Sequence, residues 1–571
     1  MNPTTMYQRI RILLGFGSTL GVSGCFYHPT GSVGLETDPS AASDGPYTAP
    51  TTTPASVGPD ECGGGGVGSG ECDDDTAGES ADDTDECTSI CTPATCGDGI
   101  IGPDEECDDG EATAMCDADC TASSCGDGMH NAVAGEECDG GGESAKCNAD
   151  CSLLVCGDGK INATAGELCD DGNTTGGDLC SPACVATKIV DLAVDTRHTC
   201  VVFESGPMRC WGANENGQLG LGNSVSLGDD PDELPADDVV AGGKVVQVAL
   251  GNLHTCARLD GGAVRCWGHG LYGQLGYGDG ESLGDTTADL PPLDLSLGSP
   301  ALQVAAGEFH TCAVVDGGSV KCWGRGNGGQ LGYGSPNNVL EPGGAIIAEL
   351  ASVQQVVLGS THGCALGDEG EVRCWGTNSY GQLGLGSTIT IGDDPGEVPG
   401  TAEVSDETMP VMQLAAGAAH TCALLVTGAV RCWGSNGAKQ LGSFGGTIGD
   451  NAGEMPPADV PLGPDMATQI VAGEQHSCAL MANKRVKCWG KSPENGHPMD
   501  INTPGQFPPL DVDVGGDVVM LASHRGRFTC AVLTDNTLRC WGMNVAGQLG
   551  YGHTDPIGDD ETPAMAGPVP F

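Results

Sequence analysis

Six histidines share one repeating position, and their chemistry is the first question the sequence poses. His198, His254, His310, His362, His420 and His476 each stand two residues before a cysteine. Imidazoles arranged round a ring can be read as metal ligands, which bind at about 2 Å. Two observations oppose that reading. The seventh unit carries Phe528 at this position, and a residue repeated once per unit serves as a rule in that unit's own structural bond. Hydrogen bonding is the expected role, and no metal is assigned.

The cysteines that follow form seven pairs, the second member of each 10 positions after the first: Cys200 and Cys210, Cys256 and Cys266, Cys312 and Cys322, Cys364 and Cys374, Cys422 and Cys432, Cys478 and Cys488, Cys530 and Cys540. Every second member precedes Trp-Gly, which accounts for all seven tryptophans of the chain. Thiols this regular are not nucleophiles. A basic residue precedes each Cys-Trp as well, from Arg209 to Arg539. It is expected to stack on a ring or pair with an acid, the alternative being a positive ring offered to a ligand.

Acidic loops lie between the repeats, at Asp229, Asp230, Asp232 and Glu233, at Asp393, Asp394 and Glu397, and at Asp559 and Asp560. They are read as a binding rim, with a solvated acidic edge as the plainer reading. No cofactor is assigned. Divalent cations could bind these carboxylates and calcium could bind the N-terminal acidic turns, although no spacing there matches a twelve-residue EF-type loop. The chain lacks a Gly-x-Ser-x-Gly elbow, a phosphate-binding glycine loop and a His-Glu-x-x-His run. Acids are too abundant for any two to mark a glycosidase pair.

Strands must position these residues. In the third unit Ala301 to Ala306 alternates, Gly307 to His310 turns, and Thr311 to Val315 forms a second strand. Asp316-Gly317-Gly318 then reads as a tight hairpin leading into Ser319 to Gly324. Cys312 and Cys322 therefore face one another across neighbouring strands. A disulfide closing so short a loop contributes about 2 to 3 kcal/mol. A proline-bearing segment such as Leu290-Pro291-Pro292-Leu293 supplies a further short strand. About four strands per unit, with a period of 52 to 58 residues, fit a propeller blade. The last residues, Ala566 to Phe571, are expected to complete the blade containing Cys200.

The Gly-x-x-His-Thr-Cys-Ala, Cys-Trp-Gly and Asn-x-x-Gly-Gln-Leu-Gly-x-Gly elements resemble repeats of the regulator of chromosome condensation family. The resemblance covers residues 188–571 and implies an all-β, seven-bladed β-propeller. Members of that family include a nucleotide exchange factor for a small nuclear GTPase and a secreted inhibitor of β-lactamases, so the resemblance implies binding rather than catalysis. The sixth unit departs most, with Ser492-Pro493-Glu494-Asn495-Gly496-His497 in place of Gly-Gln-Leu-Gly.

Residues 62–187 are cysteine-rich. Cys96, Cys125 and Cys156 each open a unit of four cysteines, and such small units need crosslinks to hold. Disulfides are favoured over zinc, and three pairings per unit stay open. These units resemble the myxobacterial cysteine-rich repeat of exported surface proteins. Residues 25–61, rich in Pro, Ser, Thr, Gly and Ala, read as a disordered tether. Residues 1–24 read as a signal peptide. Val22-Ser23-Gly24-Cys25 resembles a bacterial lipoprotein signal, which implies lipidation of Cys25.

Acidic residues number 78 against 22 basic ones, a formal charge of −56, which excludes nucleic acid as a partner. Together these readings predict an exported outer-membrane lipoprotein, surface-exposed, monomeric and membrane-attached through its lipid alone. It would display a non-catalytic recognition propeller to an extracellular or surface protein or a glycan. The rival readings are a polysaccharide-acting enzyme and a structural envelope or matrix component. Aromatic residues are only 4% of the chain, too few for a sugar-binding pocket.

Overall fold

The computed structural model describes scattered residues between 101 and 160 and nearly all of 188–570. From residue 188 onward, seven antiparallel sheets follow one another in chain order. The first is built from β1 (Ile189–Asp195), β2 (His198–Phe203) and β3 (Met208–Gly212). The third contains Ala301–Ala306, His310–Val315 and Ser319–Gly324. The middle strand of that sheet is buried along its whole length.

The paired cysteines sit directly opposite one another in register, as Cys312 does with Cys322. Disulfides join all seven pairs, each at a Cα–Cα distance of 4.1 Å. In the cysteine-rich segment Cys107 bonds Cys116 and Cys138 bonds Cys147, the same pairing in two successive units. Asn131 of the second unit donates to the Thr113 and Cys116 carbonyls of the first, at 2.7 and 3.0 Å.

Among the described residues a fourth strand is regular only in the fourth and sixth blades, at Gly400–Thr401 and Asp511–Val512. Elsewhere it shrinks to a single contact. The contact comes after the proline pair: the Leu295 amide donates to the Val264 carbonyl at 2.9 Å. Proline lacks the donor that a ladder needs, so Pro291 and Pro292 lead into the edge instead of forming it.

The C-terminal segment corrects the expectation made for it. The Val569 amide donates to the Leu538 carbonyl at 3.0 Å, which completes the blade of Cys530. The blade of Cys200 already has its own outer segment, since the Val239 amide donates to Met208. The ring nevertheless closes. One apolar core holds Ile189, Leu192, Phe203 and Trp211 of the first blade with Leu521, Phe528, Leu549 and Val569 of the seventh.

Candidate functional site

The repeated histidines and tryptophans meet at the boundaries between blades. His198 Nε2 lies 3.0 Å from Thr255 Oγ1 of the second blade. That hydroxyl donates to the Gln218 carbonyl in the first connector at 2.7 Å, so it accepts from the imidazole Nε2–H. The Trp267 indole donates to the same carbonyl at 3.0 Å. Thus the Gln218 carbonyl anchors the next blade twice, as do those of Gln274, Gln382, Gln440 and Gln548, whereas that of Gln330 takes only the Trp375 indole because Gly363 brings no hydroxyl. Equivalent bonds join His254 to Thr311, His362 to Thr421 and His420 to Ser477.

Glycine makes this close approach possible. A Cβ on Gly220, whose φ is 71°, would lie 2.6 Å from Trp267 Nε1. The six imidazoles are fully buried, and desolvation pushes His198 and His420 down to about 4 and His254, His362 and His476 down to about 3. His310 is held well below its usual range for the same reason. Five of the histidines are therefore neutral inter-blade hydrogen-bond donors, each spent on a neighbouring blade rather than on its own; His310 meets Gly363 instead of a hydroxyl, and neither of its ring nitrogens has a partner.

Glutamines make a second set of boundary clamps. The inner strand of the third blade shifts register between Ala301 and Gln303, and such a bulge re-aims a side chain. Gln303 then donates to the Val356 carbonyl at 3.0 Å and accepts from the Val356 amide at 2.8 Å. Gln247, Gln355, Gln413 and Gln469 repeat the contact.

The junction between the seventh and first blades is different. Met520 stands where the glutamine would be and Phe528 where the histidine would be. The connection from Met520 to Phe528 is one residue longer than that from Gln303 to His310 in the third blade. Its Arg525 forms an ion pair with Asp195 in which both side chains are buried. His524 Nδ1 lies 3.2 Å from the same carboxylate, and its Nε2 donates across the axis to the Leu358 carbonyl at 2.6 Å. Burial works to raise the Asp195 carboxyl, but Arg525 and His524 outweigh it and hold it well below the usual carboxylate range. Sequence reasoning passed over this group, although the longer loop was its visible signal.

Four of the seven repeated basic residues pair within their own blades. Arg209, Arg265, Arg431 and Lys487 pair with Asp238, Asp294, Asp459 and Asp511 of their own outer segments at 2.7 to 2.8 Å. These four contacts fit the pairing expected for them; Lys321 donates instead to the Gly343 carbonyl at 2.8 Å, and Arg373 lies 3.7 Å from Glu349.

The acidic rim divides into two kinds of residue. Glu233 Oε2 accepts from the amides of Gly228, Asp229 and Asp230 at 2.8, 3.1 and 3.0 Å. Glu397 does the same for Gly392, Asp393 and Asp394 at 2.8, 3.2 and 3.0 Å. These two glutamates hold their own loops, while Asp230 and Asp232 are exposed on them. In the seventh blade Pro563 occupies the corresponding place, so no glutamate caps the loop. Asp559, Asp560 and Glu561 crowd within 4.8 Å there, and burial together with Asp560 and Asp559 pushes Glu561 up to about 7. A cation would relieve that repulsion, but three neighbouring acids do not by themselves make a cofactor site.

Connectors and acidic loops share one end of the blades. A Cβ on Gly547, in the seventh connector, would lie 2.3 Å from the Asp229 amide nitrogen. The sixth connector keeps only its final glycine. Gly496 packs against Trp541, whose Nε1 is buried without a partner, and buried Glu494 instead takes Arg527 at 2.6 Å. Cys25 lies outside the described residues.

The chain resembles several known proteins. It is 32% identical to the ultraviolet-B receptor UVR8 of Arabidopsis thaliana over 372 residues, which is 64% of this chain and 80% of the receptor. It is 29% identical to the mitochondrial RCC1 domain-containing protein RUG3 of the same plant over 366 residues, 60% of this chain and 78% of that one. Among solved structures, yeast RCC1 (Prp20) bound to Kap60 superposes with a TM-score of 0.50 at 21% identity, covering 65% of this chain and 85% of the other. These relatives overturn two expectations. An ultraviolet-B receptor and a mitochondrial protein do not describe an outer-membrane surface lipoprotein, nor a partner that is an extracellular protein or a glycan, and both assignments are withdrawn. The RCC1-like domain model matches residues 110–442 and 238–568. With its seven stapled blades and its histidine and tryptophan anchors, this chain belongs to the RCC1-like domain family.

Proposed function

We propose that this non-catalytic, protein-binding propeller recognises its partner through the end of the blades where the connectors and acidic loops meet. One observation carries the reading. The repeated histidines, tryptophans and cysteines are buried in holding the ring together, which leaves recognition to residues that differ between units. Among these are Asp229, Asp230, Asp232, Asp393, Asp394, Asp559 and Asp560 on the rim, with Leu271, Tyr380 and Val545 exposed on the connectors.

A photo-crosslinker placed at Leu271 or Tyr380 tests this against one placed at Asp260 or Asp316, in the hairpin turns at the other end. Protein adducts are expected from the first pair. Adducts from the turns alone would move the recognition surface to the opposite face.

The N-terminal division belongs to the same proposal and rests on sequence. A leader at 1–24 would end before Cys25, whose sulfur would be acylated. A tether would follow at 25–61, then repeats similar to the myxobacterial cysteine-rich unit at 62–187, and the propeller at 188–571. Intact mass of the mature protein tests it: an N-terminus at acylated Cys25 supports the leader, and one at Met1 removes it.

A further inference from the structure

Four side chains from two adjacent blades gather on the connector face. The rings of Tyr272 and Phe309 lie 5.2 Å apart, and His269 meets each at 6.1 Å. The guanidinium carbon of Arg325 stands 5.2 Å from the Tyr272 centroid and 5.9 Å from that of Phe309. All four are half-buried, and Leu271 beside Tyr272 in the chain is 62% exposed. In a chain whose tryptophans are all committed to the core, this is a local concentration of ring surface.

The cation in it differs from two other arginines of this face. On the same face Arg197 is matched by Glu215 at 2.9 Å, and Arg527 by Glu494 and Glu474 at 2.6 and 3.8 Å. Among the described residues no carboxylate lies within ion-pair distance of Arg325. A guanidinium stacked on rings uses its faces and keeps its N–H edge, whose fork fits a carboxylate with two parallel hydrogen bonds. Aromatic and arginine side chains clustered in this way are what carries binding energy at protein interfaces.

We propose that Tyr272, Phe309 and Arg325 form a docking site for a partner peptide in which one carboxylate side chain lies beside a bulky apolar one. The apolar side chain would cover the exposed ring surface while the carboxylate pairs with Arg325. The formal charge of −56 selects a single carboxylate over an acidic tract, which the rim would repel. This inference rests on the protein-recognition reading above and names its site and partner chemistry.

A displayed library of random peptides, about 12 residues long, panned on the full chain tests it. Enriched peptides are expected to carry Asp or Glu next to Phe, Tyr, Leu or Ile. Their affinity is expected to fall about tenfold with Arg325→Gln and with Phe309→Ala, a loss of about 1.4 kcal/mol each. Changing the peptide's acid to its amide should give the same loss. Unchanged melting temperatures would show that both variants still fold. Enriched peptides without an acid, or indifferent to Arg325→Gln, would overturn the site and leave recognition elsewhere on the face standing. No enrichment, together with no adducts at Leu271, would overturn both.

Discussion

The indole of Trp211 donates to the carbonyl of Gln548, 337 positions further along the chain. Thr199 Oγ1 donates to the same oxygen at 2.8 Å. The first blade is thus anchored on the seventh connector just as the second is on the first, and the ring repeats its own bond at the closure. A Cβ on Gly550 would lie 2.7 Å from both Trp211 Nε1 and Val569 Cγ1. Gly550→Ala is expected to lower stability by about 1 to 3 kcal/mol through overpacking. Faster hydrogen exchange at Ile189–Phe203 than in the third blade would place the damage at the closure.

Trp541 provides a comparison within one molecule. Its Nε1 has no partner, whereas that of Trp267 donates to Gln218. Trp267→Phe should therefore cost about 1 kcal/mol more than Trp541→Phe, the usual net worth of one hydrogen bond. Denaturant midpoints of the two variants measure the difference, and equal midpoints would contradict the anchoring role of the connector carbonyl.

Asp195→Asn removes the charge that faces Arg525 at the closing junction. Breaking a buried pair from one side is expected to cost about 3 to 5 kcal/mol. Replacing both residues, as in Asp195→Leu with Arg525→Met, should recover much of that loss. Thermal unfolding of the single and double variants gives the coupling. If Asp195→Asn alone were neutral, the pair would not hold the ring shut.

Acid should weaken the propeller. In the unfolded chain the six ring histidines titrate near 6.5, and burial lowers five of them to about 3 or 4 and His310 well below its usual value. Between those values the unfolded state binds more protons, so the stability they contribute is complete above about pH 6.5 and is lost as pH falls toward 4. Each histidine adds a slope of about 1.4 kcal/mol per pH unit in that window. Urea midpoints measured from pH 7 to pH 4.5 should fall steeply, and His310→Phe, which copies the seventh blade, should reduce the slope by one proton.

The hairpins were legible in the sequence because each closes locally. The third blade's inner and third strands have the expected limits, and its middle strand begins at His310, one residue early. The boundaries were not legible. His198 reaches Thr255, 57 residues away, and Gln303 reaches Val356, 53 residues away; which blade receives each bond depends on the direction of the ring. The same cause misplaced the C-terminal segment, since a proline-bearing end fits either junction by composition. Among candidate site residues, Glu233 and Glu397 looked like rim ligands because a carboxylate's backbone partners carry no sequence signature. The Tyr272, Phe309 and Arg325 group was missed because its members occupy different positions within their repeats.

Every one of the seven propeller disulfides joins two strands of the same blade. The crosslinks therefore protect the hairpins and leave the blade boundaries to reversible forces. An oxidised molecule that opens at one boundary can trade blades with a second copy without exchanging any sulfur. Concentration and acidity, rather than redox conditions, would then govern the passage from single rings to interlocked ones.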